Sequence, residues 1–368
     1  MREYHESMQI TKAFRFCPNA FRVDMYRGCD FGCKYCFANM QCFKEEDNTK
    51  WANASIEKIK KRFYTALETD KESKDILVEL LRHKVPLHCG GMSDPFQSRE
   101  WKLGLTKQLI DVSNQYEYPI MFSTKTAYLT ESYMQVLNPK YHAFQVSIMG
   151  WSDDYIRKWE TNTASAFHRV DFVKWLRNKG FWCSVRIQPI IDISEVEKLC
   201  YNIAGNCDYV TVEHLRIIYD TEESLKAFWK LCENKTDFVL LPHHIEVKRN
   251  VKVKNIEKIK SILDVPVGVG DNDLHWMSDS RCCCGLDLAG EAFQNYLKYN
   301  LTYLTTGESD VNSIWVPKCN PRKHINDKRA GSVIDCKKYT DDYIQKHKHF
   351  IGGEYKDNVI GTNKRRLF

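Results

Sequence analysis

Cys29, Cys33 and Cys36 fall within YRGCDFGCKYCFANM, residues 26–40, separated by three residues and then by two. Thiolates at these spacings can converge on one metal centre if the loop curls around it. A structural zinc needs a fourth ligand to complete its tetrahedron. The nearest spare thiols, Cys17 and Cys42, stand in no paired C-x-x-C arrangement. An iron-sulfur cube offers another solution, in which three irons take cysteine and the fourth stays open to bind something that reacts. On these residues alone both readings stand.

The chain that must position this loop has 368 residues, 43% hydrophobic and 28% charged. That mixture belongs to a soluble globular protein and excludes disordered and fibrous classes. The opening MREYHESMQITKAF has no basic-then-apolar signal pattern, and no apolar run approaches the ~18 residues of a membrane helix. A cytoplasmic location with no membrane partner is expected. Fifteen cysteines then argue for metal or redox chemistry rather than a secreted disulfide framework. Cys183, Cys200 and Cys232 sit singly in apolar or amphipathic surroundings and read as buried packing residues. The net charge of +6 permits an anionic partner without requiring one. The basic runs KRNVKVKNIEKIK and KRRLF read as a solvated helix face and a frayed tail.

Strands and helices alternate through the first two thirds of the chain. Strands are expected in FRVDMYRG (21–28), VPLHCGGMSDP, PIMFSTKT, AFQVSIMG, FWCSVRIQPII and DYVTVEHLR. Helices are expected in SIEKIKKRFYTALE, with Ser55 as N-cap, in KDILVELLRH, in EWKLGLTKQLIDVSNQ, in SYMQVLN, in SAFHRVDFVKWLRNKG, closed by Gly180, and in SEVEKLCYNIAG. Such units imply a parallel sheet with right-handed crossovers. The expected fold is α/β, a partial (β/α)6 TIM-like barrel over residues 21–216, preceded by an N-terminal segment (1–20). Residues 217–292 complete or cap the barrel, with a helix in TEESLKAFWKLCEN, a strand in DFVLLPHHI, a helix near NIEKIKSILD and a further strand in VPVGVGDNDLHW. Residues 293–368 form a polar C-terminal appendage.

Cys29-x-x-x-Cys33-x-x-Cys36, with the aromatic Tyr35 before the last cysteine, resembles the signature of radical S-adenosylmethionine (radical SAM) enzymes. The resemblance implies a 4Fe-4S cluster on the three cysteines, with S-adenosylmethionine chelating the open iron. Reductive cleavage of the sulfonium would yield methionine and a 5'-deoxyadenosyl radical, which abstracts hydrogen from a substrate. It also implies that Tyr35 packs against adenine. In parallel barrels chemistry gathers at the C-terminal ends of strands, and polar residues stand there. Cys89-Gly90-Gly91-Met92-Ser93-Asp94 resembles the family's Gly-Gly-Glu segment, with Met92 in place of the acid, which leaves the amine contact open among Ser93, Asp94 and a backbone carbonyl. Ser123 and Lys125 end the third strand, Ser147 could reach the ribose, and Arg186, with Gln188 beside it, could hold the methionyl carboxylate through both oxygens. Glu213 and His214 are balanced between site and structure.

From Arg22 to Cys284 the chain is similar to the spore photoproduct lyase-like group of radical enzymes. A nucleic acid lesion or nucleobase-like substrate is the expectation by analogy. A peptide or small metabolite is the second reading, and a zinc-stabilised binding module without redox chemistry the third. Cys89 and Cys283 are the candidates for a thiol that returns hydrogen to a product radical. The run Cys282-Cys283-Cys284 could alternatively share an auxiliary metal with Cys319, Cys336 or His275, and Asp271, Asn272, Asp273 and His275 just before it could meet substrate. A reductant protein such as flavodoxin or ferredoxin is the implied electron donor.

Overall fold

The computed structural model describes residues 3–4, 7–10, 19, 21–38, 51–73, 75–218, 222–232, 235–241, 244–271, 273–300, 313–317 and 331–335. Cys17, Cys42, Asn272, Cys319 and Cys336 lie outside these. The first strands are β1 (Glu3–Tyr4), β2 (Met8–Ile10), β3 (Phe21–Val23), β4 (Tyr26–Arg27) and β5 (Ala52–Ala54). They are followed by β6 (Leu87–Cys89), β7 (Ile120–Thr124), β8 (His142–Ser147), β9 (Cys183–Ile190) and β10 (Tyr209–His214). Then come β11 (Arg216–Ile218), β12 (Phe238–Leu241), β13 (His244–Val247) and β14 (Val267–Val269), with the hairpin β15 (Ser313–Pro317) and β16 (Gly331–Asp335).

The main sheet has eight strands in the order β14-β10-β9-β8-β7-β6-β3-β2, parallel throughout except for the antiparallel β2–β3 pair. This is the expected six-stranded partial barrel, extended by VPVGV at one edge and by Met8–Ile10, which carries no clear alternation signal, at the other. The expected strand 21–28 is broken in two. Val23 ends in the main sheet, while Tyr26–Arg27 pairs with β5 in a small separate sheet with β1, so the chain leaves the barrel just before the cysteines. DFVLLPHHI likewise forms two antiparallel strands that join β11 in a third sheet.

Alternate strand residues serve opposite faces. Phe21, Val23, Leu87, Cys89, Phe122, Phe144, Val146, Val185, Val210 and Val212 enter the hydrophobic core. Their neighbours His88, Ser123, Gln145, Arg186, Thr211 and Glu213 meet on the other face through side-chain hydrogen bonds and ion pairs, and Arg22 bonds Gln9 of β2. Helices cover the apolar face. Ile56–Leu67 buries Ile59, Phe63 and Ala66 at spacings of four and three, the stripe that an amphipathic helix turns inward. Each such fully buried side chain contributes roughly 1.5–3 kcal/mol. Asp75, Ser165 and Asp192 cap later helices by accepting from backbone N–H groups of the first turn; Ser55 takes the N-cap position without a side-chain bond. The expected single helix from Glu100 is interrupted at Gly104, whose φ of +61° ends one segment and starts the next.

Candidate active site

A cavity of about 490 Å³ opens at the C-terminal ends of the parallel strands. On one side it is lined by Cys29, Cys33, Tyr35 and Cys36, and on its floor by Gly90, Gly91, Ser93, Asp94, Ser123, Lys125, Ser147, Arg186 and Gln188. The far wall carries Glu213, His214, Arg216, Glu246, Lys252, Asp271 and Asp273. Thirteen of the residues picked from the sequence for the cofactors, five of them spread over the ends of β7, β8 and β9, thus share one space.

The cysteine loop is held from outside the motif. Lys34 donates its backbone N–H to the Trp159 carbonyl at 2.9 Å, and Tyr35 donates its hydroxyl to Glu160. Glu160 is buried, and its other oxygen meets Arg169 at 2.8 Å and accepts from Thr163 at 3.0 Å. Arg169 in turn donates to the Ser147 carbonyl at 2.7 Å, which ties the loop to the end of β8. Burial would raise the Glu160 carboxyl, but Arg169 and Lys125 outweigh it and hold it below the ordinary range. This tether was not foreseen, because the short helix Asp153–Trp159 that delivers Glu160 was missed. The available signal was Arg169 on the apolar side of an amphipathic helix, a cation that must find a buried partner.

The second strand end is built by Asp24 and Asp94. Asp24 pairs with Arg22 and accepts from the Met92 N–H at 2.7 Å. Asp94 accepts from the N–H groups of Phe96 and Lys125 and from the Thr124 hydroxyl at 2.7–2.9 Å. Burial raises it to about 6 in spite of those bonds. Ser93 donates to the Tyr26 carbonyl. Both side chains therefore serve the turn while lining the cavity. The glycine pair answers mainly to packing: Gly90 has φ +106°, and a Cβ there would lie 2.4 Å from the Ser123 carbonyl oxygen. A Cβ on Gly91 would sit 3.0 Å from Arg22.

On the floor, Arg186 is held loosely, at 3.3 Å from Gln145 and 3.6 Å from Glu213. Gln188 donates to Glu213 at 2.6 Å. Burial pushes the Glu213 carboxyl up to about 8, with Arg186 pulling the other way. The far wall is tighter. Lys252 lies 3.4 Å from Asp273 and 3.7 Å from both Asp271 and Glu246, and His214 bonds Asp271 at 2.7 Å through Nδ1.

Two candidates fall outside the cavity. Cys89 alternates with His88 and faces the core beside Val23 and Phe122, fully buried; strand parity points it away from any substrate. Cys283 packs against β10 and β14, where its carbonyl accepts from Thr211 at 2.7 Å and a Cβ on Gly268 would lie 2.4 Å from that oxygen. Cys282 and Cys284 are buried beside it. Asp271 and Asp273 do reach the cavity, and His275 stands in a short 3-10 turn outside it.

Cys29, Cys33 and Cys36 are free thiols. Burial, with Asp94 nearby, pushes Cys29 up to about 12, and burial raises Cys33 as well, so both hold their protons at neutral pH and binding a metal there would release them. Among the described residues no three His, Cys, Asp or Glu side chains gather around one point as a single ion requires. The auxiliary ion considered beside Cys283 would draw on Cys319 and Cys336, which lie outside the described residues. The same three thiols on one cavity suit a cluster, whose irons accept ligands at separate corners. No other cysteine lines the cavity among the described residues, and its one histidine, His214, is engaged by Asp271 and Asn255.

A partial parallel barrel with a three-thiol loop at the mouth defines a class of radical enzymes. Residues 23–197 match the model of the radical SAM superfamily, which supports classing the chain as a radical SAM enzyme. That match implies an iron-sulfur cluster and S-adenosylmethionine. A spore photoproduct lyase mutant with dinucleoside spore photoproduct aligns over 71% of this chain and 77% of its own at 14% identity and a TM-score of 0.50. Another structure of the same lyase mutant gives the same coverages and TM-score at 13% identity. SuiB of Streptococcus suis, bound to precursor peptide SuiA, covers 53% of this chain and 39% of its own at 13% identity and a TM-score of 0.39. At such identities the likeness to the lyase concerns the fold. No curated protein matches the chain in sequence. No helix among the described residues is long and apolar enough to cross a membrane.

Proposed function

We propose that Cys29, Cys33 and Cys36 hold a 4Fe-4S cluster and that S-adenosylmethionine occupies the cavity beside it. The observation that carries this reading is the opening of three unbridged thiols onto the same cavity as Ser147, Lys125 and Arg186. Together the two groups supply a 5'-deoxyadenosyl radical that abstracts hydrogen from a substrate. This chain's residues do the rest. Arg186, whose two contacts are long, offers its guanidinium to the methionyl carboxylate. The Gly90–Asp94 turn presents backbone groups to the amine, Tyr35 offers a ring face toward the adenine, and Ser147 offers a hydroxyl to the ribose. Lys125, between Glu160 and the cysteine loop, places positive charge beside the thiolates.

The far wall is the substrate side. It carries Glu213, Glu246, Asp271 and Asp273 against Arg216 and Lys252. Phosphate backbones bind to an excess of positive charge, whereas a mixed wall suits the hydrogen-bonding edges of a nucleobase-like compound or a compact polar metabolite. An external reductant protein, flavodoxin or ferredoxin in kind, would deliver the electron.

Anaerobically purified protein is expected to be brown, to contain iron and sulfide, and to form 5'-deoxyadenosine when given S-adenosylmethionine and a strong reductant. A colourless protein unable to do so would falsify the reading. Nucleobase-like compounds are expected to accelerate deoxyadenosine formation; acceleration by peptides alone would move the substrate to the other branch.

A further inference from the structure

Gln145, in the middle of β8 and fully buried, is bonded to three other strands, β7, β9 and β10. Its Oε1 accepts from Ser123 Oγ at 3.1 Å and from Arg186 Nη1 at 3.3 Å, and its Nε2 donates to Thr211 Oγ1 at 3.0 Å. Thr211 passes its own hydrogen to the Cys283 carbonyl at 2.7 Å. A carbonyl can only accept, so the Thr211 hydroxyl points at Cys283 and turns its lone pairs to Gln145. The amide nitrogen must therefore face Thr211, which leaves the amide oxygen for Arg186. The other arm has the same sense. Ser123 gives its hydrogen to Gln145, so His88 Nε2, at 2.6 Å, is the donor to Ser123. Burial, followed by the charges of Arg186 and Arg22, keeps His88 neutral, so the donor is the tautomer that carries its proton on Nε2.

The acceptor on Arg186 is thus a neutral amide with one allowed orientation. A carboxylate in its place would neutralise the guanidinium; an apolar side chain would release it toward Glu213. The Cys283 carbonyl reaches Thr211 because residue 268 is glycine, since a Cβ there would collide with that oxygen and with the Tyr209 hydroxyl at 2.2 Å.

We propose that Gln145 is a positioning residue that aims Arg186 at the carboxylate of S-adenosylmethionine, and that the Cys282–Cys284 backbone sets Gln145 through Thr211. This rests on the reading that Arg186 receives that carboxylate. It gives the triple-cysteine segment a role through its backbone rather than through thiol chemistry.

The test is equilibrium binding of S-adenosylmethionine and of its decarboxylated analogue to the anaerobically reconstituted full chain. Gln145→Leu and Thr211→Val are expected to weaken S-adenosylmethionine by roughly tenfold, the scale of one hydrogen bond to a charged group, and to leave the analogue unchanged. Thr211→Ser, which keeps the hydroxyl, should retain the wild-type ratio. Arg186→Gln should abolish the preference for the carboxylate. If Arg186→Gln abolishes it while Gln145→Leu and Thr211→Val keep it, the positioning role is overturned and the assignment of Arg186 stands. If Arg186→Gln keeps the preference, the assignment itself fails and the inference with it. Should Gln145→Leu not fold, the near-isosteric pair Thr211→Val and Thr211→Ser decides the matter. A general loss of structure would weaken both ligands equally, and that result also counts against the proposal.

Discussion

The two sides of the cavity are built on opposite principles. On the cysteine side and floor, functional side chains keep slack: three free thiols, and an Arg186 whose contacts lie at 3.3 and 3.6 Å. On the far wall, one buried ammonium, Lys252, is shared by three carboxylates, and His214 is locked to Asp271. Loose groups can exchange a protein partner for a ligand at little cost. A closed ion network resists such exchange, because any partner removed leaves buried charge behind. The first side is therefore suited to receiving cofactors and the second to presenting a rigid, preset wall to a substrate.

The sharpest break of this contrast is on the loose side. Replacing Cys29, Cys33 or Cys36 with alanine is expected to reduce bound iron and deoxyadenosine formation to background, read by iron and sulfide analysis and product chromatography, with thermal unfolding of the sheet little altered. On the closed wall, Lys252→Met should do the reverse and act on stability first. Stranding three carboxylates around a side chain only 6% exposed is expected to cost about 3–5 kcal/mol in denaturant unfolding. That deficit should shrink in acid. Lys252 and His244 together overcome the effect of burial and hold Glu246 at about 2, against 4.5 for a free carboxyl. The stability contributed by this depressed group is present above pH 4.5 and is lost as pH falls toward 2, so wild type and variant should converge over that range.

Gly90→Ala probes the floor between the two sides. It adds a positive-φ penalty of about 1–3 kcal/mol to a collision with the Ser123 carbonyl, and denaturant unfolding should report at least that loss. A probe read through pH is at Glu213, where the two sides meet. Its carboxyl is raised to about 8, so the favourable contribution of the protonated form is complete below pH 4.5 and lost as pH rises through 8. Glu213→Gln should therefore gain stability relative to wild type as pH climbs through that range. A variant whose stability tracks wild type at every pH would show that the carboxyl is not held neutral there.

These contrasts also separate what could be read along the chain from what could not. The loop Cys29–Cys36 and the five strand ends after it are local patterns: a spacing and an alternation. The break of the first strand after Val23 was not legible, since FRVDM alternates past that residue and only the competing partner β5, some thirty residues later in the chain, draws Tyr26 away. Nor was the parity that sends Cys89 into the core while His88 faces Ser123, because it depends on which face the neighbouring strands present.

What the sequence determined by itself is the class of chemistry, because three thiols at fixed short spacings constrain a metal centre whatever surrounds them, and because regular strand-helix alternation leaves few topologies for a sheet. The tertiary structure alone decided which groups keep their charge and where they aim it. Glu160 lies more than a hundred residues from the Tyr35 it holds, Gln145 more than sixty from Thr211, and Lys252 gathers carboxylates from two other elements. Burial and Coulomb attraction act through space with no memory of chain order, so such partnerships exist only once the barrel has closed around them.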